Sequence, residues 1–305
     1  MGITRFRLLD ATLRPPALSV DDKDAAAGEL SWVLLELQAY VSKLENATTA
    51  RSKTWDGKEI QVTFCRRRPP RLSYLAVYSR DAEIPVEPQI LATEDDIVLL
   101  RVVVSCQKDV LKNLDYYIYR ADDGSGRPSL DHLPRPPSPY FFDARNIGIL
   151  RRPTDYSSLF LRPHRSDSDS IADEYIVAGL HMALDELHEE FEEGTFILSR
   201  FDSKMKAWTT NTVSLNHQQK QQYRNHFEHS NSKVIAIGGD AGTMAFLDLW
   251  RGILFCDVLP AQGQAIPPLR YVPLPSILPK SKFSGDARLA RDIAVVQGGR
   301  DDQVR

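Results

Sequence analysis

The stretch LDLWRGILFCDVLP, at 247–260, holds the most chemically varied side chains of the chain. An arginine, a cysteine and two aspartates lie in it among apolar residues, at Arg251, Cys256, Asp248 and Asp257. A cysteine beside a basic group can act as a nucleophile, whereas burial among apolar side chains raises its pKa and makes it inert. Because Cys256 directly follows three apolar residues, we predict a small buried hydrophobe there and not a nucleophile.

The same stretch predicts two strands joined by a tight turn. The strands cover 243–249 and 253–259, and the turn covers 250–252. Consecutive apolar residues in the second strand predict burial on both of its faces. We expect Trp250 to anchor the turn by packing. We also expect Arg251 to pair with Asp248 or Asp257, since a buried charge needs a partner.

The glycine-rich stretch AIGGDAGTMAF (236–246) follows a predicted strand, which is where phosphate-binding loops lie. It lacks the Lys-Ser/Thr pair of a P-loop, does not fit GxGxxG, and precedes strand-like residues where such loops precede a helix. A helix N-terminus is what gives these loops their anion site. Glycines suit the positive φ angles of hairpin turns, so we predict a turn between two strands.

An acidic segment could hold a cation through Asp185, Glu186, Glu189, Glu190, Glu192 and Glu193. It lacks the glycine and asparagine spacing of calcium loops. HEEFE at 188–192 also lacks the second histidine of the zinc motif HExxH. We therefore predict a solvated acidic face, with a cation site as the alternative.

A polar segment carries the histidines His217, His226 and His229 without a nearby cysteine. Structural zinc sites commonly combine histidine with cysteine. We predict exposed imidazoles that titrate freely, and a weak metal patch is the alternative.

The charge balance of the whole chain bears on its partners. The 305 residues include 38 basic and 41 acidic ones, for a formal net charge of −3. Proteins that bind nucleic acid usually carry a basic surplus, so we predict no nucleic-acid partner.

The cellular compartment is predicted from targeting signals and cysteines. No signal-peptide pattern follows the start of the chain, and no apolar run approaches the roughly 20 residues that span a bilayer. Cys65, Cys106 and Cys256 are far apart and lie in apolar runs, which indicates reduced, buried thiols. We predict an intracellular protein, cytoplasmic or nuclear, without membrane association.

Short apolar runs bounded by turn-forming residues are the elements that would position the candidate residues described above. They are rich in Val, Ile, Tyr and Phe, which is typical of strands, and long helical stripes between them are missing. The runs are WVLLELQAYV (32–41), IQVTFC (60–65), LSYLAVY (72–78), IVLLRVVVS (97–105), YYIYR (116–120), YIVAGL (175–180), TFILSR (195–200), KVIAIGG (233–239), ILFCDVL (253–259) and LRYVPLP (269–275). Near-regular spacing of this kind predicts antiparallel meanders.

Two segments depart from the strand pattern. Residues 180–194 place Leu180, Leu184, Leu187 and Phe191 on one helical face, and Gly194 could end that helix. Residues 214–232 are polar all round, so a solvated helix and a long loop are both open.

The domain organisation is predicted from the loop-forming stretches. We predict a flexible leader at 1–28, a single β-rich domain at 29–280 and a tail at 281–305. Linkers are predicted at 134–141 and 165–174. Within the first linker, RPPSP could adopt polyproline II and dock in a groove, or it is a plain loop between strands.

An ordered series of segments also carries a family resemblance. The segments are NATTARSKTWDGKEIQVTFCRRRPPRLSYLAV (46–77), DYYIYRADDGSGRPSLDHLPRPP (115–137), YIVAGL (175–180), FILSRFDSKMKAW (196–208), LDLWRGILFCDVL (247–259), LRYVPLP (269–275) and RDIAVVQG (291–298). They resemble a plant family, expanded in grasses, known as domain of unknown function 1618. The resemblance implies a β-propeller-type fold without established catalytic or ligand residues. It also implies a truncated C-terminus, since members usually continue past RDIAVVQG with further strands.

We therefore predict an all-β fold, an irregular or incomplete β-propeller-like arrangement of antiparallel meanders with long loops. The predicted function is a non-catalytic protein-interaction scaffold whose loops at 134–145, 181–194 and 212–232 contact an unidentified protein partner. The alternative is a small-molecule-binding or hydrolytic propeller with a site in a central channel. We predict no catalytic, cofactor-binding or metal-binding residues and no cofactor.

Overall fold

The computed structural model describes residues 8–17, 32–104, 113–122, 126–137, 142–152, 174–182, 194–223, 227–260, 264–275 and 286–295. These residues form 17 strands, a single α-helix and a short 3₁₀ helix. The strands make four sheets, and none of the four closes on itself within the described residues. The chain divides into two compact units, and each unit is described by itself.

The first sheet lies in the first unit. Its strands are β1 (Leu34–Leu35), β2 (Tyr40–Val41), β3 (Ala50–Lys53), β4 (Glu59–Cys65) and β5 (Leu72–Tyr78). Antiparallel pairs join β3 to β4 and β4 to β5, whereas β1 and β2 run parallel to β5. The order β1-β5-β4-β3 places β1 and β3 at opposite edges of the sheet.

The second sheet of this unit is an antiparallel meander. Its strands are β6 (Gln89–Glu94), β7 (Ile97–Val103), β8 (Leu114–Arg120) and β9 (Ser129–Leu133). Residues from both sheets share one buried core, in which Val62, Val77 and Leu100 are fully inaccessible to solvent. Each such side chain contributes about 1.5–3 kcal/mol by leaving water. Strand β3 lies beside β9 as a result, and this contact positions the site described below.

The third sheet is again an antiparallel meander and lies in the second unit, except for residues 207–208 of its last strand, which belong to the first unit. Its strands are β10 (Ile147–Arg151), β11 (Tyr175–Met182), β12 (Thr195–Asp202) and β13 (Ala207–Ser214). Gly179 on β11 faces Phe142, and a Cβ at this glycine would lie only 2.2 Å from the ring. The glycine is therefore required by packing against an aromatic ring.

The fourth sheet completes the second unit. Its strands are β14 (Lys233–Gly238), β15 (Thr243–Asp248), β16 (Gly252–Asp257) and β17 (Arg270–Pro273). The glycine-rich stretch forms the turn between β14 and β15, where Gly238, Gly239 and Gly242 have φ angles of +88°, +76° and +60°. The predicted hairpin turn is confirmed.

Two short helical elements accompany the second unit. Helix α1 (His217–Gln222) begins at Asn216, whose side chain caps it by accepting from the N–H of Gln219, and buries none of its own residues. Of the two alternatives left open for 214–232, the solvated helix is therefore the one found at these six residues. A 3₁₀ helix at Ala287–Leu289 lies in the predicted tail, and Arg291 after it donates from Nη1 to the carbonyl oxygen of Leu249.

The predicted fold class is confirmed: the protein is all-β and built from antiparallel meanders. Leu180 lies in β11, as predicted for the run 175–180. The helical pattern of 180–194 does not hold at its start, because β11 continues through His181 and Met182 and pairs with β12 there. The rest of that segment, 183–193, lies outside the described residues. Within those residues, no helix is both long and apolar enough to cross a membrane.

Candidate functional site

Cys256 is scaffold and not a nucleophile. It is fully buried on β16 in the core of the second unit. This burial, followed by the negative charge of Asp257, raises the pKa of the thiol to about 12. Cys65 is also buried and free, and burial raises its pKa. Both therefore match the predicted buried thiols, and Cys106 lies outside the described residues.

The turn between β15 and β16 is held by Asp248, whose exposure is 1%. Its Oδ1 accepts from the backbone N–H groups of Trp250 at 2.9 Å and Arg251 at 3.2 Å. Its Oδ2 accepts from the N–H of Ser230 at 2.9 Å and from Nη1 of Arg251 at 3.2 Å. The predicted pairing of Arg251 with Asp248 is confirmed, whereas Asp257 pairs with Arg270 at 3.1 Å.

His229 is buried, so the prediction that it is exposed and titrates freely is wrong. Its exposure is 5%, and rings of Phe196, Phe227 and Tyr271 surround it. Burial lowers its pKa from the ordinary 6.5 to about 4. Sequence reasoning missed this because the aromatic rings come from three separate parts of the chain. His217 is exposed as predicted, and His226 lies outside the described residues.

Metal chemistry is not supported by the described residues. No group of three or more His, Cys, Asp or Glu side chains within them could hold a metal ion. The predicted acidic face at 185–193 lies outside those residues.

The most distinctive polar group of the first unit is the carboxylate of Asp115, at the start of β8. Its side chain has no exposed surface. Oδ2 accepts hydrogen bonds from the backbone N–H of Trp55 at 2.9 Å and from the hydroxyl of Tyr117 at 3.1 Å. Oδ1 accepts no hydrogen bond from the described part of the chain. A buried carboxylate of this kind is costly unless a positive or donating group compensates it.

Two nitrogens approach the unbonded oxygen without bonding to it. Nε2 of His132, on β9, lies 3.5 Å from Oδ1, and Nη2 of Arg135 lies 4.0 Å away. The imidazole nitrogen is itself buried and has no hydrogen-bond partner among the described residues. The rings of His132 and Tyr117 lie 5.0 Å apart, which orients the imidazole. Burial, followed by the charge of Asp115, raises the pKa of Tyr117, so its hydroxyl remains a donor.

Two further residues next to Asp115 present an aromatic and a cationic group to solvent. Trp55, in the turn between β3 and β4, is 47% exposed, and the guanidinium of Arg135 stacks over its ring at 4.3 Å. Arg135 follows Pro134, whose carbonyl oxygen accepts a hydrogen bond of 2.7 Å from Nε1 of Trp208. Trp55, Asp115, Tyr117, His132 and Arg135 together are called the Trp55–Asp115 site below.

The sequence did not predict this site because its members come from separate elements of two sheets. The one sequence signal is an aspartate, Asp115, placed directly before the apolar run YYIYR. Of the predicted interaction loops, 134–145 borders the site through residues 134–137. The structure describes 181–182 and 194 of the second loop, and all of the third except 224–226.

Fold and site together define an all-β protein of antiparallel meanders with a carboxylate–aromatic site at its surface. Residues 247–302 match the family described as "Protein of unknown function (DUF1618)". This match confirms the resemblance predicted from the sequence, over the part of the chain that contains β16 and β17. No curated protein and no solved structure matches the chain.

Proposed function

We propose that this protein is a non-catalytic interaction protein and that the Trp55–Asp115 site contacts its protein partner. The observation that carries the proposal is the exposed Trp55 ring with the Arg135 guanidinium stacked on it. Tryptophan and arginine are the residues most enriched among those that dominate binding energy in protein interfaces. Here the guanidinium of Arg135 stacks on the Trp55 ring, so the ring already accepts a cationic side chain on its face.

The hydrolytic alternative has weaker support at this site. Asp115 and His132 could form an acid–base pair, but covalent catalysis also needs a nucleophilic side chain beside the base. Oδ1 of Asp115 faces Nε2 of His132, so a nucleophile would have to lie at Nδ1, and no serine, threonine or cysteine is among the residues of the Trp55–Asp115 site. We therefore propose the binding role first, in an intracellular protein whose free, buried Cys65 and Cys256 are consistent with a reducing compartment.

Affinity capture with a matched pair of variants tests the proposal. The wild type, Trp55→Ala and Trp32→Ala are used to capture proteins from a lysate of grass leaves, the source that the family resemblance implies. Trp32 is 60% exposed and precedes β1, at the opposite edge of the first sheet from β3. We expect one specific set of captured proteins to be lost with Trp55→Ala and retained with Trp32→Ala. Equal capture by all three proteins would contradict the proposal.

A further inference from the structure

Oδ1 of Asp115 accepts no hydrogen bond from the described part of the chain. Oδ2 accepts two hydrogen bonds, whereas Oδ1 has no exposed surface and has only the longer contacts with Nε2 of His132 at 3.5 Å and Nη2 of Arg135 at 4.0 Å. A buried carboxylate oxygen without a hydrogen bond is costly, so a group that donates to Oδ1 at hydrogen-bond distance would bind with a favourable contribution.

Arg135 covers this oxygen without bonding to it. Its Nη2 lies 4.0 Å from Oδ1, whereas charged N–H···O⁻ hydrogen bonds measure about 2.7–2.9 Å. Arg135 lies between Pro134 and Pro136, and the carbonyl of Pro134 accepts a hydrogen bond from Trp208. Proline fixes its own φ and restricts the residue before it, so the main chain at Arg135 has few accessible conformations.

The chemistry around Oδ1 suits one kind of side chain. The face of Trp55 stacks with the Arg135 guanidinium at 4.3 Å, and Nη2 of the same guanidinium lies 4.0 Å from Oδ1 of Asp115. A guanidinium is planar, stacks on aromatic rings and donates in its own plane, so it can use both groups at once. An ammonium is more strongly hydrated and uses the aromatic face less well.

We propose that the Trp55–Asp115 site binds an arginine side chain of a partner protein, and that Arg135 occupies the site in the free protein. This inference rests on the proposed function and names the chemistry of the partner. On binding, Arg135 moves into solvent, to which 41% of its side chain is already exposed. The partner's guanidinium then stacks on Trp55 and donates to Oδ1 of Asp115.

Ethylguanidinium is the probe for this site, and N-ethylurea is its neutral control of the same shape. Binding is measured by NMR titration of the full chain for the wild type, Arg135→Ala, and Arg135→Ala combined with Asp115→Asn or Trp55→Ala. Removing Arg135 opens the site, so we expect Arg135→Ala to bind ethylguanidinium at least tenfold more tightly than the wild type. Each second substitution should cancel that gain, and N-ethylurea should not bind.

Two results would overturn the inference. One is that Arg135→Ala binds the probe no more tightly than the wild type. The other is that the gain persists when Trp55 is also replaced. The Trp55 side chain is half-exposed, so its replacement should not prevent folding. The variant Arg135→Ala with Trp55→Ala therefore still tests the inference if Asp115→Asn prevents folding.

The capture experiment distinguishes this inference from the proposed function. If Trp55→Ala loses the partner but the probe fails to bind Arg135→Ala, the interaction role stands and the arginine inference fails. If the probe binds as expected but Trp55→Ala captures the same proteins as the wild type, the proposed function fails. Arg135→Ala should retain or increase capture of a partner that brings its own arginine, and loss of capture would count against the inference.

Discussion

Nε2 of His229 lies 3.0 Å from Oδ1 of Asn231, and the amide nitrogen of Asn231 donates to the carbonyl oxygen of Leu180 at 2.8 Å. The asparagine therefore presents its oxygen to the imidazole, which donates through Nε2–H. Nδ1 then carries the lone pair, and it has no hydrogen-bond partner in the described part of the chain. A proton added at Nδ1 would create a buried charge with an unused N–H, so folding favours the neutral ring.

Acid should therefore destabilise the protein through His229. Its folded-state pKa of about 4 lies below the ordinary 6.5, so between these values the unfolded chain binds a proton that the folded chain does not. The contribution of His229 is fully present above pH 6.5 and is lost as the pH falls towards 4. The loss is at most about 1.4 kcal/mol per pH unit. Urea unfolding of the wild type across this interval measures the slope.

The matched variants for this prediction are His229→Gln and His217→Gln. His229→Gln should reduce the slope of unfolding free energy against pH, whatever its effect on absolute stability. His217 is exposed, so His217→Gln controls for the same substitution at a site outside the core. His181, whose pKa burial also lowers to about 4, titrates in every variant and supplies a common background. Equal slopes for the wild type and His229→Gln would show that this imidazole is not held neutral.

The buried thiol of Cys256 should affect stability and not reactivity. Cys256→Ala removes a fully buried sulfur from the core and is expected to cost about 1–2 kcal/mol. With a pKa of about 12, the thiol is protonated at pH 8 and should not react with iodoacetamide in the folded protein. Peptide mass spectrometry with and without urea checks this, and modification of Cys256 without urea would contradict it.

The strands that contain apolar runs could be predicted from the sequence. Strand β13 and the end of β11 could not, and the two cases have different reasons. β13 reads AWTTNTVS and is largely exposed, so it has no buried face to create a pattern. β11 continues through His181 and Met182, where spacing suggested a helix, because its partner β12 continues alongside it. The predicted Arg251–Asp248 pair lies within one turn and needed only local reasoning. Asp115 and Trp55 are 60 positions apart, and only tertiary structure brings them together.

Asp248 should be the most sensitive polar residue of the LDLWRGILFCDVLP stretch. It accepts four hydrogen bonds at 1% exposure, and three of its donors are backbone N–H groups. Asp248→Ala removes the acceptor of the Ser230 and Trp250 N–H groups, whereas the N–H of Arg251 keeps the main-chain carbonyl of residue 248, and the substitution is expected to cost about 3 kcal/mol. Asp257→Ala is the matched control, because Asp257 accepts only from the side chains of exposed Arg270 and of Thr243 and from no backbone N–H, so its loss should cost about 1–2 kcal/mol. Equal losses in urea unfolding would contradict the assigned role.

Gly179 and Phe142 should show strong energetic coupling. A Cβ at Gly179 would lie 2.2 Å from Cε1 of Phe142, a fully buried ring, so Gly179→Ala must displace that ring and is expected to cost about 1–3 kcal/mol. Phe142→Val removes Cδ1, Cε1 and Cζ, the three ring atoms that a Cβ at Gly179 would approach, so Gly179→Ala should cost less in that background. A double-mutant cycle by urea unfolding measures the difference. If the two substitutions add without coupling, the glycine is not required by contact with this ring.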